Sequence, residues 1–405
     1  MQQNKKNEDN FNKAFKKIAK EKDLEFIRSL GAGSFGNVYE VKDEKTGKIL
    51  AAKLLKDEGE YSESKTILEL RGRNIIKVNK IYETIISPVK EYEKEKGTEK
   101  NSEEKYSLIL MEKAPLKDLY SFVNNLREKN ILNHAFKNPF EMIGDNFTRF
   151  IIKQIVKGFE TLYLANYAHF DFKPENTLIF TNMDMKLSDF GFLRNINKIK
   201  NENKIVRIPG GTRGYLPPEY YSKDNKITVD EAAKVDYFSL GATIFYLKYG
   251  KIMLKFKEFK EKFATANYMI DLMQKAIDKI KTTKSNDKDF IDFLCKLIQY
   301  DPKDRLSFEE IHRNKWLNKN WNQILEVVEA NQSDEEKIIE ELNKSDFLFE
   351  KKNYLNEKHI LMEESNINNS KDIIENNNNK DNRNKNNNER KQINKINYHK
   401  FKLKL

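Results

Sequence analysis

Apolar and polar positions along this chain change rhythm once, and decisively. From Leu24 they alternate in short bursts: FIRSLGAG runs into a glycine turn, and NVYEVKD and ILAAKLL flank Lys45-Thr46-Gly47. Period-two alternation broken by turn residues predicts antiparallel strands. Glu63–Leu70 reads as a helical segment, Ile75–Val78 and Ile81–Ile86 as further apolar bursts, and Ser107–Glu112 as a buried strand. Beyond about residue 114 apolar residues recur three or four apart, around 116–128, 146–167, 230–249, 265–280 and 287–299, which predicts helices. Only Thr177–Phe180 and Met185–Ser188 interrupt them as short strands. The expected fold is α+β and bilobal. A small β-rich N-lobe (about 23–113) precedes a larger α-helical C-lobe (about 114–318), with no internal repeat.

Four stretches stand outside this pattern. Residues 1–22 hold seven lysines and three acids, with Phe11, Phe15 and Ile18 spaced for one helix face. They read as a basic, solvated leader that packs a little on the domain. Residues 87–105 carry five Lys and six Glu and almost nothing apolar, the composition of a mobile surface insertion between two strands. The domain is expected to end near Trp316. After it, residues 319–362 read as an acidic extension with one or two helices, the first opened by Ser333-Asp334-Glu335-Glu336. Residues 363–405 read as a disordered basic tail, because 14 of the 32 residues from Asn366 to Asn397 are Asn.

Composition narrows the class. A lone cysteine, Cys295, excludes an intrachain disulfide framework and a cysteine zinc site. No apolar run approaches the roughly 18 residues of a membrane span, and the first residues lack a signal peptide's apolar stretch. A cytoplasmic or nuclear protein is expected. The net charge of +11 invites a nucleic-acid reading until it is divided. Residues 1–22 contribute +4, residues 380–405 contribute +7, and residues 23–379 balance 58 basic against 58 acidic side chains. The charge therefore belongs to the two ends, which would tether the chain to an acidic partner or surface. No specific nucleic-acid binding is expected, and a chain cut to residues 23–320 is expected to keep its chemistry.

The chemistry lies in three blocks. Gly31-Ala32-Gly33-Ser34-Phe35-Gly36-Asn37-Val38 is a glycine turn whose backbone can approach phosphate oxygens, and it leads into a strand, which disfavours a dinucleotide fold. Lys53, in the apolar strand after Ala51, needs a negative partner, and a cradled phosphate supplies one. The third block is His169-Phe170-Asp171-Phe172-Lys173-Pro174-Glu175-Asn176, followed eighteen residues after Asp171 by Asp189-Phe190-Gly191. Asp171 suits proton acceptance from a hydroxyl, Lys173 neutralises a transferring phosphoryl, and Asn176 and Asp189 offer hard oxygens to Mg2+.

From Leu24 to Leu317 the chain resembles the eukaryotic protein kinase family. Pro217-Pro218-Glu219, Asp236-Tyr237-Phe238-Ser239-Leu240-Gly241 and Arg305 extend the likeness in the family's order. The resemblance implies ATP and Mg2+ as cofactors, a Glu219–Arg305 pair, and Asp236 as a brace for the catalytic loop. It further implies Met111 as gatekeeper, Glu112–Ala114 as the adenine hinge and Asp118 as a ribose contact. Lys173-Pro174-Glu175-Asn176 and Gly211-Thr212 are similar to the serine/threonine type, with Thr212 beside Asp171 and Lys173 and a protein Ser/Thr as substrate. Either Glu63, ten residues after Lys53, or Glu69, sixteen after it, is the helix glutamate, and Glu63 is preferred. The alternative to an active kinase is a pseudokinase scaffold that keeps the fold.

Two departures matter. The family's arginine before Asp171, which usually engages a phosphate on the activation segment, is Phe170 here, and residues 192–211 contain no Ser, Thr or Tyr. Activity is therefore expected to be independent of activation-loop phosphorylation. The stretch after Gly250 also lacks the family's proline-bearing loop.

Overall fold

The computed structural model describes residues 2–33, 36–57, 63–93, 98–128, 145–180, 183–199, 204–222, 224–254, 266–282 and 287–319. The extension, its capping box and the Asn-rich tail lie outside these residues.

The N-lobe is built on one antiparallel sheet in the order β1-β2-β3-β5-β4, with β1 Leu24–Gly33, β2 Gly36–Asp43, β3 Ile49–Lys56, β4 Val78–Glu93 and β5 Thr98–Glu112. Register puts Val38, Lys53, Ile109 and Ile81 in one cross-strand row and Leu54, Leu108 and Tyr82 in the next. Side chains alternate between faces, so Lys53 turns to one side of the sheet and its neighbours Ala52 and Leu54 to the other. A slip of one residue in β3 would send the lysine to the wrong face.

That other face is covered by helix α1 (Gln2–Glu21). Ala14, Phe15, Ile18 and Ala19 are buried against Leu24, Tyr39, Val41, Leu50, Ala52, Leu54, Tyr106, Leu108 and Leu110. The rings of Phe15 and Tyr39 lie 4.3 Å apart, and Phe11 meets Tyr106 edge-on at 5.2 Å. The expectation of a solvated leader that packs only a little on the domain is corrected here. The same i, i+4, i+7 stripe that predicted the helix is the cover of an apolar sheet face, and Lys13, Lys16 and Lys20 look outward. The charge of this end belongs to a docked helix.

The acidic–basic stretch 87–105 is also corrected. Through residues 87–93 and 98–105 it continues the β4–β5 ladder, with Val89 opposite Ser102 and Glu93 opposite Thr98. Composition reports burial, whereas backbone pairing between adjacent strands requires none. Residues 94–97 lie outside the description.

The C-lobe packs helices α3 (Leu119–Glu128), α4 (Asp145–Leu164), α5 (Ala232–Tyr249), α6 (Ala266–Thr282), α7 (Lys288–Leu297) and α8 (Phe308–His312). Helix α5 is buried along nearly its whole length and forms the axis of the lobe. Trp316, fully buried on Phe290 and Phe293, closes the domain. Among the described residues no helix is long and apolar enough to cross a membrane.

One buried ion pair ties the lobe together. Arg305 donates to both carboxylate oxygens of Glu219, at 2.7 and 2.6 Å, and to the carbonyls of Gln299, Lys234 and Tyr300. Its guanidinium also lies 4.9 Å from the Phe238 ring centroid. Arg305→Ala would leave the Glu219 carboxylate without its cation and remove the side-chain donor from three carbonyls. It is expected to cost roughly 3–5 kcal/mol in a chemical-denaturation measurement.

Candidate active site

The glycine turn joins β1 to β2, with Gly33 opposite Gly36. Ser34 and Phe35 at its tip lie outside the described residues. A Cβ on Gly31 would meet nothing within 4 Å, so the strand is open at this position. Gly36 answers a different need: its Cβ would sit 2.0 Å from the Leu54 carbonyl oxygen, so close approach of β2 to β3 requires glycine there.

On β3, Lys53 is buried with its ammonium 2.5 Å from Glu63 Oε2 and 2.7 Å from Asp189 Oδ1. Burial works against its charge, and the two carboxylates overcome it, holding the ammonium above its usual range. Asp189 shows the converse. Burial would raise its carboxyl, but Lys53 holds it below the usual range. Glu63 sits on a short helix, α2 (Glu63–Thr66), and its Oε1 accepts from the Phe190 amide at 3.2 Å. Glu69, the other candidate partner of Lys53, points elsewhere, to Tyr167 and Lys198.

The catalytic loop is held from below. Buried Asp236 on α5 accepts the amides of His169 and Phe170 at 2.7 and 2.8 Å. Burial pushes its carboxyl up to about 6, while His169 and these amides pull it back. Phe170 adopts a left-handed backbone (φ 63), a costly conformation for a bulky residue that the Asp236 bond and full burial of the ring maintain. His169 Nδ1 accepts from the Asp171 amide at 3.3 Å, so Nε2 carries the proton and donates to the Ser188 carbonyl at 3.1 Å.

Asp171, nearly buried, receives the Thr212 hydroxyl on Oδ1 at 2.8 Å. Lys173 Nζ lies 2.7 Å from the same hydroxyl and 3.2 Å from Asp171 Oδ2. Asn176 donates to the Asp171 carbonyl at 2.8 Å, and Ser188 donates to the Asn176 carbonyl, which brings Asp189 alongside the loop. Thr212 reaches the loop because Gly211 (φ 137) has no side chain; a Cβ there would sit 2.8 Å from the Phe170 carbonyl.

The hinge residues divide by role. Ala51 and Met111 are register partners on the inner face, and Val38 packs on the same core. Glu112 directs its carboxylate away, to Lys186 on β8 (Met185–Leu187) at 2.7 Å and to the Lys77 amide at 2.7 Å. Ala114 opens the turn before α3, its carbonyl accepting from Lys117. Asp118 caps α3, with one oxygen on the Ser121 amide and the other on its hydroxyl, both at 2.7 Å. Sequence reasoning missed Lys186, which lies 74 residues from Glu112 and carries no local signal.

Among the described residues no three His, Cys, Asp or Glu side chains cluster as a metal site. The pair Asn176 and Asp189 fits Mg2+ in another way. Two hard oxygen donors beside a phosphate cradle leave its remaining positions to phosphate oxygens and water, as this ion prefers.

A lysine held between two carboxylates and an acid–lysine–threonine trio are groups that phosphoryl transfer uses. A family model described as the protein kinase domain matches residues 24–317, and the chain belongs to that family. It is similar to an Aurora kinase of Saccharomyces cerevisiae, 29% identical over 74% of this chain and 70% of that protein. It is also similar to the serine/threonine-protein kinase stk11 homolog of Dictyostelium discoideum, 26% identical over 71% of this chain and 44% of that protein. Against the mitogen-activated protein kinase hog1 of Aspergillus clavatus it is 24% identical over 72% of this chain.

Proposed function

We propose that this chain is an active protein serine/threonine kinase that transfers the γ-phosphoryl of ATP to a protein hydroxyl. The observation that carries the reading is that Asp171, Lys173 and Thr212 are assembled while Lys53 is closed on Glu63 and Asp189. The substrate oxygen forms the new O–P bond, the bond from phosphorus to the ADP oxygen breaks, and Asp171 accepts the hydroxyl proton. Lys173 balances charge on the moving phosphoryl, and Thr212 holds both side chains in register. Mg2+ at Asn176 and Asp189 would neutralise phosphate charge. Lys53 would orient the α- and β-phosphates beneath the glycine turn. Preference for Ser and Thr over Tyr rests on Lys173-Pro174-Glu175-Asn176 and on the names of the relatives.

Strand pairing and burial within the described part of the activation segment support activity that needs no segment phosphate. Phe170 fills the core where the family places arginine. Strand β9 (Arg194–Asn195) pairs with β6 (Tyr167–Ala168), and β10 (Ile205–Arg207) pairs with β11 (Lys226–Thr228). Val206, Ile208 and Ile227 are buried along that second ladder. Activity is accordingly expected to survive phosphatase treatment. With ATP, Mg2+ and a degenerate peptide library, the treated chain should yield phosphoserine and phosphothreonine, and chelation of the metal should abolish both. A required phosphate on Thr212 or elsewhere would contradict this part of the reading. The presence of Lys53, Asp171, Asn176 and Asp189 supports an active enzyme over the scaffold alternative.

A further inference from the structure

Glu69 stands where three segments meet. It ends the single 3-10 turn (Ile67–Glu69) that follows the short helix α2, the helix that presents Glu63 to Lys53. Its Oε2 accepts the hydroxyl of Tyr167, and its Oε1 lies 3.2 Å from Lys198 Nζ. Tyr167 is buried on β6, two residues before His169 of the catalytic loop. Lys198 belongs to the activation segment, in the turn after β9. Asn195, the register partner of Tyr167, caps that turn by accepting the Lys198 amide at 3.2 Å.

We propose that Glu69 is a positioning residue that locks helix α2 and the activation segment onto the catalytic-loop strand, in place of the segment phosphate that Phe170 cannot bind. This deepens the kinase reading and rests on it. Helix α2 presents Glu63 to Lys53, and Glu63 leaves Lys53 if α2 swings. A carboxylate joined to the catalytic strand on one oxygen and to the segment on the other biases the pair of open and closed arrangements toward the closed one. The two bonds are unequal. Lys198 and Glu69 are each about half exposed, at 53% and 46%, so their attraction is screened and weak. The Tyr167 bond joins a buried ring to a charged acceptor and belongs to a stronger class. Burial first, and then the Glu69 carboxylate, push the Tyr167 hydroxyl up to about 12, so it remains a donor through the physiological range.

The test uses the full chain and its Glu69→Ala, Glu69→Gln, Tyr167→Phe and Lys198→Ala variants, with Asp171→Asn as control. Glu69→Ala and Tyr167→Phe are each expected to lower kcat about ten-fold, equivalent to ~1.4 kcal/mol. KM for peptide should stay near wild type. The double variant should be no worse than Glu69→Ala alone, because Tyr167→Phe breaks a bond that Glu69→Ala has already removed. Glu69→Gln, which keeps an oxygen acceptor, should recover part of the loss, and Lys198→Ala should lose least. Hydrogen exchange should quicken in 194–207 and 63–69 while α5 stays protected. A wild-type kcat in Glu69→Ala overturns the assignment. So does a loss of kcat that comes with faster exchange throughout α5, because the role would then be structural. If Asp171→Asn matches wild type, it is the kinase reading that fails.

Discussion

Asp171→Asn is expected to lower turnover of a serine or threonine peptide by about 10²–10⁴-fold, the usual contribution of a positioned general base. The amide keeps the shape of the carboxylate and can still accept the Thr212 hydroxyl that now lies 2.8 Å from Oδ1. It cannot take the proton of the attacking hydroxyl. KM for ATP should therefore change little, and thermal melting should stay near wild type, the pattern of an interaction made in the transition state. Asp189→Ala removes one of the two carboxylates around Lys53 and, on the proposed reading, an oxygen that would hold Mg2+. It should lose activity to a similar extent, and excess Mg2+ should not restore it. Steady-state kinetics with both substrates varied separates these effects.

The second large effect concerns α1. Phe15→Ala removes a ring that is 7% exposed and touches Tyr39 and Phe26, and is expected to cost roughly 3–5 kcal/mol of stability. Removal of residues 1–22 uncovers the whole apolar face from Leu24 to Leu110. The truncated chain is expected to aggregate or melt well below the full one, contrary to the expectation that charge alone suggests. The helix is also tied by polar contacts to the sheet face it covers. Asn10 donates to Glu104 at 3.2 Å, and the other oxygen of Glu104 lies 2.5 Å from Lys56, three residues after Lys53 on β3. Burial opposes ionisation of Glu104, yet Lys56, Tyr106 and Asn10 hold its carboxyl below the usual range. Differential scanning fluorimetry of wild type, Phe15→Ala and the chain lacking residues 1–22 measures the cost directly.

What could be read in the sequence was what is local. Asp171, Lys173 and Asn176 fall within six residues, and the order of the glycine turn, Lys53 and Asp189 follows from spacing alone. Two glutamates competed for Lys53 because spacing measures contour length and not direction. The structure gives each carboxylate a separate task. Distant pairings left no trace. Glu112 with Lys186 and β10 with β11 join segments whose residues carry no pattern pointing to one another. The apolar stripe of α1 announced a helix, but a stripe does not name the surface it covers. Residues 87–105 misled because a ladder needs backbone pairing and no apolar side chains.

The most direct measurement is transfer of labelled γ-phosphoryl from Mg2+–ATP to a serine or threonine peptide by full-length chain made together with a phosphatase and shown unphosphorylated by intact mass. The predicted result is a linear time course from the first turnovers, absent in Asp171→Asn. No transfer, or a lag that shortens as the chain phosphorylates itself, would contradict an active site assembled without a phosphate.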